Sequence, residues 1–248
     1  GARILRRMAL IHRSFMHWGP VAGGRALHAA ATAAAFCLAG LLPLTASALP
    51  MGSQGSWMVM GDSSPDGAKL SANYALTRND ALGAAVGRWE EEPHKGAPGS
   101  HMQRRDFAGL TYTRLLHRWN LPHAQANLWF VGMAGSARAQ ERAGSETLGS
   151  ASLLADFETT RVYTGAGVEI KRAGPLRHDT AYARAGFSFY EVEYEETQPW
   201  LILEAKRERY SLTTKNTVTP MLRFINKSYF VEVGGNRDGA VLNFMLNF

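Results

Sequence analysis

Cysteine is almost missing from this chain of 248 residues: there is one, Cys37. A disulfide framework and a cysteine-built zinc module are therefore excluded. Charge is sparse too, at 19% of residues, yet the hydrophobic share of 46% is too high for a disordered chain. The basic excess is small and lopsided. Five of the 27 lysines and arginines (Arg3, Arg6, Arg7, Arg13, Arg25) and none of the 21 acids fall in residues 1–48, which leaves 22 bases against 21 acids beyond them. A nucleic-acid partner thereby loses its main support. After residue 49 there is also no convincing 3.6-residue apolar period and no GxSxG nucleophile elbow.

What is present first is an address. Leu27–Leu44 reads LHAAATAAAFCLAGLLPL behind an arginine-bearing leader, and Ala46 and Ala48 flank Ser47 in the small-residue pattern of a signal-peptidase site. Residues 1–48 are expected to be a cleaved signal peptide, with the mature chain starting near Leu49 and translation at Met8 or Met16. A membrane anchor is the competing reading, but the run barely reaches the roughly 20 residues of a bilayer span and contains Pro43. Cys37 lies inside the run, behind the bulky Phe36, so lipid modification there is not expected. A mature chain without cysteine suits an oxidising compartment.

From residue 49 the apolar residues recur every second position. Ala240, Leu242, Phe244, Leu246 and Phe248 alternate with Val241, Asn243, Met245 and Asn247; Val162, Thr164, Ala166, Val168 and Ile170 alternate with Arg161, Tyr163, Glu169 and Lys171. This is a period of half-buried strands, either in a soluble sandwich with its oily face inward or in a membrane barrel with its oily face outward. The polar faces carry glycine and arginine in mid-strand (Gly165, Gly167, Arg184, Arg223), which suits a lumen, because an arginine facing lipid at mid-depth costs about 2–4 kcal/mol. The expected fold is all-β: a transmembrane, antiparallel, up-and-down β-barrel over residues 49–248.

Ten strands are expected, near 55–61, 68–76, 80–90, 104–118, 123–137, 151–172, 177–191, 198–210, 217–235 and 240–248. The short connections 77–80, 119–123, 172–178 and 211–216 then share the rim that carries the termini, and the longer 91–103 and 138–150 face the other way. In 217–235, Arg223 and Lys227 hold odd positions and Glu232 an even one. A β-bulge near 226–228 would switch the faces within one strand. A hairpin turn there would lead towards the alternative count of twelve.

The alternating terminal strand ending in Phe248 resembles the C-terminal assembly signal of Gram-negative outer-membrane β-barrel proteins, with Leu242, Phe244 and Leu246 as its other members. The resemblance implies a bacterial outer-membrane location, insertion by the barrel-assembly machinery, and contact with outer-membrane lipid and lipopolysaccharide. The stretch 108–130 is similar to uncharacterised proteobacterial barrel proteins of metal-resistance gene neighbourhoods, which implies a link to metal or envelope stress.

A barrel of ten or twelve strands leaves a narrow or plugged lumen, since a wide aqueous pore needs about 16–18. The expected lumen lining is Arg161, Arg184, Arg223, Glu169 and Glu204. Trp57, Trp89, Trp119, Trp129, Trp200 and Tyr229 are candidates for aromatic girdles, and Glu191, Glu193, Glu195 and Glu196 for an acidic outer rim. His94, His101 and Met102 combine imidazole with thioether and are the weak metal candidates. His178 is followed two residues on by Thr180, the spacing at which lipid A deacylases place histidine and serine. No catalytic residue and no cofactor is expected. The function expected is a non-enzymatic narrow channel or a structural, surface-binding protein; the alternatives are a lipid-modifying enzyme and a soluble periplasmic barrel that holds an apolar ligand inside.

Overall fold

A computed structural model describes residues 51–91, 103–139, 144–193, 195–211 and 213–248. Its strands are β1 (Trp57–Ser64), β2 (Gly67–Ala75), β3 (Asp80–Glu91), β4 (Gln103–Leu121), β5 (Ala124–Ala139), β6 (Glu146–Thr159), β7 (Val162–Ala173), β8 (Leu176–Phe187), β9 (Gln198–Tyr210), β10 (Thr214–Asn226), β11 (Tyr229–Asn236) and β12 (Gly239–Asn247). Each pairs antiparallel with its neighbour in sequence, and β12 pairs with β1 to close the barrel. Closure leaves no free sheet edge, so every strand backbone finds a partner in the wall, as a membrane-spanning sheet requires. At the seam, Trp57 N–H donates to Phe248 O at 2.7 Å and Phe248 N–H donates to Trp57 O at 2.9 Å.

Twelve strands replace the expected ten, because two of the expected strands are hairpins. The stretch 151–172 folds back at Thr160-Arg161, where the Thr159 hydroxyl accepts hydrogen bonds from the backbone N–H groups of Arg161 (3.2 Å) and Val162 (2.8 Å). The stretch 217–235 folds back at Lys227-Ser228, with Asn226 Oδ1 accepting from Ser228 N–H at 3.3 Å. Such side chains mimic a backbone turn and need no glycine. The switch of face between Arg223 and Glu232 is therefore a turn and not a bulge; an irregularity in register sits instead between Leu115 and His117 of β4.

The extra turn at Thr160-Arg161 reverses the chain's direction for everything up to Lys227-Ser228. Trp57 and Phe248 mark the near rim, which also carries the connections 76–79, 122–123, 160–161, 188–197 and 227–228. The connections 174–175 and 211–213 belong to the far rim, where β3 and β5 also end, contrary to expectation. The acidic segment with Glu191, Glu193, Glu195 and Glu196 accordingly lies at the near rim, beside the termini.

The outer wall is apolar and bare. Leu110 is 73% exposed, and Leu70, Val86, Val168, Leu203, Val218 and Val233 all stand exposed on outward positions of their strands. Inward positions hold the polar side chains: Asn73, Thr113, Glu204, Arg223 and Glu232 are buried. This is the inverse of a soluble sandwich and the arrangement of a membrane-spanning barrel. It also removes the basis of an apolar ligand chamber. Leu242, Phe244, Leu246 and Phe248 share the outward positions of the terminal strand. The aromatic girdle is smaller than expected. Trp57 and Trp119 are exposed near the near rim, but Trp89, Trp129 and Trp200 are buried inside the barrel.

Candidate functional site

Because successive side chains of a strand alternate faces, the inward set of each strand can be read from register and burial together. The inward charges sort into layers. In the middle of the β8–β12 wall, Arg184 donates from Nε to Glu204 Oε2 at 2.5 Å and reaches Glu232 Oε2 at 3.4 Å. Arg223 grips the other oxygen of Glu232, with Nε at 2.9 Å and Nη2 at 2.8 Å. Asn243 Nδ2 adds a third donor to Glu232 at 2.9 Å. The Arg223 guanidinium is held between the rings of Tyr163 (4.1 Å) and Phe230 (4.9 Å), so β7 and β11 fix its plane.

Across the lumen, Lys69 pairs with Asp62 at 3.4 Å and Lys171 with Glu169 at 3.6 Å. On β5 and β6, Asp156 accepts from Asn127 Nδ2 at 2.6 Å and from the indole N–H of Trp129 at 3.0 Å. Towards the far rim, Lys215 Nζ bridges Asp66 (2.6 Å) and Asp238 (3.1 Å), which ties the β1–β2 turn to the β11–β12 turn. Apolar clusters fill the space around these pairs. One joins Met51, Ala75, Ala81, Leu115 and Trp129 near the near rim, and another joins Trp89, Phe107, Ala137, Leu148 and Ala173 near the far rim. Between them a polar cavity of about 390 Å³ remains, lined by Asp62, Lys69, Asp156, Glu169, Lys171 and Arg184 among others.

Four of the five expected lining residues thus point inward: Glu169, Arg184, Glu204 and Arg223. Arg161 does not. It lies in the β6–β7 turn and donates to the carbonyls of Ser188 (3.2 Å) and Phe189 (2.9 Å), where it pins the 188–197 segment at the near rim. Asp62, Lys69, Asp156, Lys171 and Glu232 were not among the expected lining residues. A charge in mid-strand on the polar parity was their only signal, and for Glu232 the misplaced strand boundary hid even that.

His178 is held among three neighbours. His178 Nε2 lies 3.4 Å from Glu208 Oε1 and 3.4 Å from the Thr180 hydroxyl, while its ring stacks on Tyr210 at 4.5 Å. A nucleophile relay needs the hydroxyl on one ring nitrogen and the carboxylate on the other. Here both meet Nε2, and Nδ1 is buried without a hydrogen-bond partner. His117 packs at a tilt of 54° against Trp119 on the outer wall. His94, His101 and Met102 lie outside the described residues. Among the described residues no three His, Cys, Asp or Glu side chains converge as metal ligands would.

No known family model matches the chain, and no curated protein sequence matches it. Among solved structures it is similar to LpxR from Salmonella typhimurium, at 10% identity over 78% of this chain and 99% of that one, with a TM-score of 0.48. It is also similar to the KdgM porin in complex with disordered oligogalacturonate, at 10% identity over 78% of this chain and 98% of that one, with a TM-score of 0.46. Likenesses of this size transfer no residue role.

Proposed function

We propose that the protein is a bacterial outer-membrane β-barrel whose lumen is a narrow, charge-lined passage for small ions or hydrophilic solutes, without a catalytic step. The polar cavity of about 390 Å³, lined by Asp62, Asp156 and Glu169 against Lys69, Lys171 and Arg184, carries this reading. A wall that served only as an anchor would gain more from an apolar filling, because replacing buried ion pairs with well-packed hydrophobic residues is often neutral or stabilising. Balanced charge favours a water-filled route of weak selectivity over a tight binding site. The passage is narrow: Trp129, Trp89 and their clusters occupy the lumen, so bulk diffusion of large solutes is outside its capacity. The outward terminal strand with Leu242, Phe244, Leu246 and Phe248 would be read by the barrel-assembly machinery during insertion, and lipopolysaccharide would surround the exposed end.

The test is single-channel recording of the purified protein in a planar bilayer, with folding checked by the heat-dependent shift in electrophoretic migration. Small unitary conductance is expected. The cation-to-anion permeability ratio should fall in Glu204→Gln and rise in Arg184→Gln, while both variants keep the heat shift. A folded protein that conducts nothing above the bilayer background overturns the passage.

A further inference from the structure

The outer wall is apolar over most of its area, but near the far rim of β7–β9 it carries four arginines and one acid. Arg172 and Arg177 stand directly opposite each other across β7 and β8, and Asp179 stands opposite Arg209 across β8 and β9. Arg207, the next outward residue of β9, is opposite Ala181. Asp179 is taken by Arg172, with which it is hydrogen-bonded. The side chains of Arg177, Arg207 and Arg209 make no ion pair or hydrogen bond among the described residues. Like charges directly opposite in an antiparallel pair are unfavourable, so a surplus of three cations on one patch of wall is favoured by an outside anion that offsets it.

Below this patch the wall is hollowed. Ala155, Ala166, Ala183 and Ala205 are successive cross-strand partners on β6, β7, β8 and β9, and their small side chains form the floor of a groove of about 600 Å³. Leu153, Val168 and Val218 stand around it, and Arg207 lies in its lining. An apolar trough on the lipid-facing wall with an unpaired guanidinium in its lining matches one shape of ligand: a hydrocarbon chain attached to an anionic headgroup. Planar guanidinium groups bind phosphate oxygens two at a time, and their surplus positive charge favours a headgroup of net negative charge over a zwitterion, whose own ammonium offsets its phosphate.

We propose that the β6–β10 face binds a membrane lipid of net negative charge that carries phosphate monoesters, with a phosphate on Arg177, Arg207 and Arg209 and an acyl chain along the alanine-floored groove. The proposal rests on the barrel spanning a membrane but not on its conducting. With the near rim in the periplasm the site lies in the outer leaflet, where the phosphorylated glycolipid is the anionic species.

The experiment titrates the purified full chain in neutral detergent with bisphosphorylated lipid A, with phosphatidylcholine and with inorganic phosphate, and reads bound lipid by native mass spectrometry. Retention of lipid A but not of phosphatidylcholine is expected, with affinity about tenfold weaker in the double variant Arg207→Gln/Arg209→Gln. Ala183→Leu, which fills the groove and keeps every charge, should weaken retention too. Arg88→Gln, which is paired with Asp106 on β4 away from the groove, should not. Equal retention of the two lipids, retention untouched by the double arginine variant, or inorganic phosphate competing as well as lipid A each overturns the proposal. A wild-type chain without a heat-shifted band would instead overturn the membrane reading, so the two failures are distinguishable.

Discussion

Arg223 and Glu232 face each other across the β10–β11 pair with a hydrogen bond of 2.9 Å from Nε and a further ion-pair contact of 2.8 Å from Nη2, and the Glu232 side chain has no exposed surface at all. Glu232 is also where Arg184 and Asn243 converge, so one carboxylate holds β8, β10, β11 and β12 in a single network. Two guanidinium groups depend on it.

Glu232→Ala should destabilise the barrel by about 3–5 kcal/mol, because it leaves the buried Arg223 without its anion and takes from Arg184 one of its two carboxylates. Glu232→Gln keeps the shape and one acceptor oxygen, and should cost less. The midpoint of urea unfolding in detergent, followed by tryptophan fluorescence, measures both; equal midpoints for wild type and Glu232→Ala would remove the network from the list of stabilising features.

Trp129 fills the near-rim cluster at 1% exposure and donates its indole N–H to Asp156. Trp129→Phe should cost about 1–3 kcal/mol, since it leaves a carboxylate oxygen without its donor but keeps most of the volume. Trp129→Ala should cost about 3–5 kcal/mol, as a cavity is added. Because Met51 packs in the same cluster, the alanine variant should also raise conductance if the cluster narrows the passage.

Two glycine substitutions should differ in sign. At Gly135 an added Cβ would lie 2.1 Å from the Ala108 carbonyl and 2.5 Å from Gly109 Cα, so β4 and β5 would have to part; Gly135→Ala should cost about 1–3 kcal/mol. At Gly149 an added Cβ meets nothing within 4 Å, and Gly149→Ala should be neutral or gain about 0.4–1 kcal/mol through the unfolded chain. The temperature at which the heat-shifted band is lost ranks the two.

Glu195, in the near-rim segment, accepts a hydrogen bond from Lys227 Nζ at 2.7 Å, and that bond with the ammonium charge holds its carboxyl below the ordinary value of 4.5. A lowered value means that the contact stabilises above 4.5 and is lost as pH falls through the folded-state value. The segment should therefore become more open to an acid-active protease at low pH. In Lys227→Ala the Glu195 carboxyl should titrate nearer 4.5 by carbon-13 NMR, and an unchanged titration would show that Lys227 is not the cause.

The two-residue alternation determined most of this architecture by itself. Apolar residues at every second position cannot form an amphipathic helix, and arginine and glycine on the opposite parity already specify a polar interior, so Arg184, Arg223, Glu169 and Glu204 were readable as inward residues. The terminal strand was readable for the same reason, since Ala240 to Phe248 keep one parity without interruption. What alternation left undecided was where a strand turns without glycine or proline: a turn at 226–228 was one of two readings, and the turn at 160–161 was not foreseen. Thr159 and Asn226 close their turns with their own side chains, which look in sequence like ordinary polar strand positions.

Those two turns decided the strand count, and with it the rim to which each connection belongs; the acidic segment and the turns 174–175 and 211–213 changed ends together. Only closure of the barrel could decide partners. Once the turn at 227–228 is placed, parity puts Glu232 inward, but Arg184 lies 48 residues away and three strands round the wall, and only the register of β8 to β11 brings them together. The same holds for Ala155, Ala166, Ala183 and Ala205, unremarkable apart and aligned into one groove by cross-strand pairing. Alternation is a local property of the chain, whereas partnership across strands is set by register, which the sequence specifies only through the sum of all its pairings.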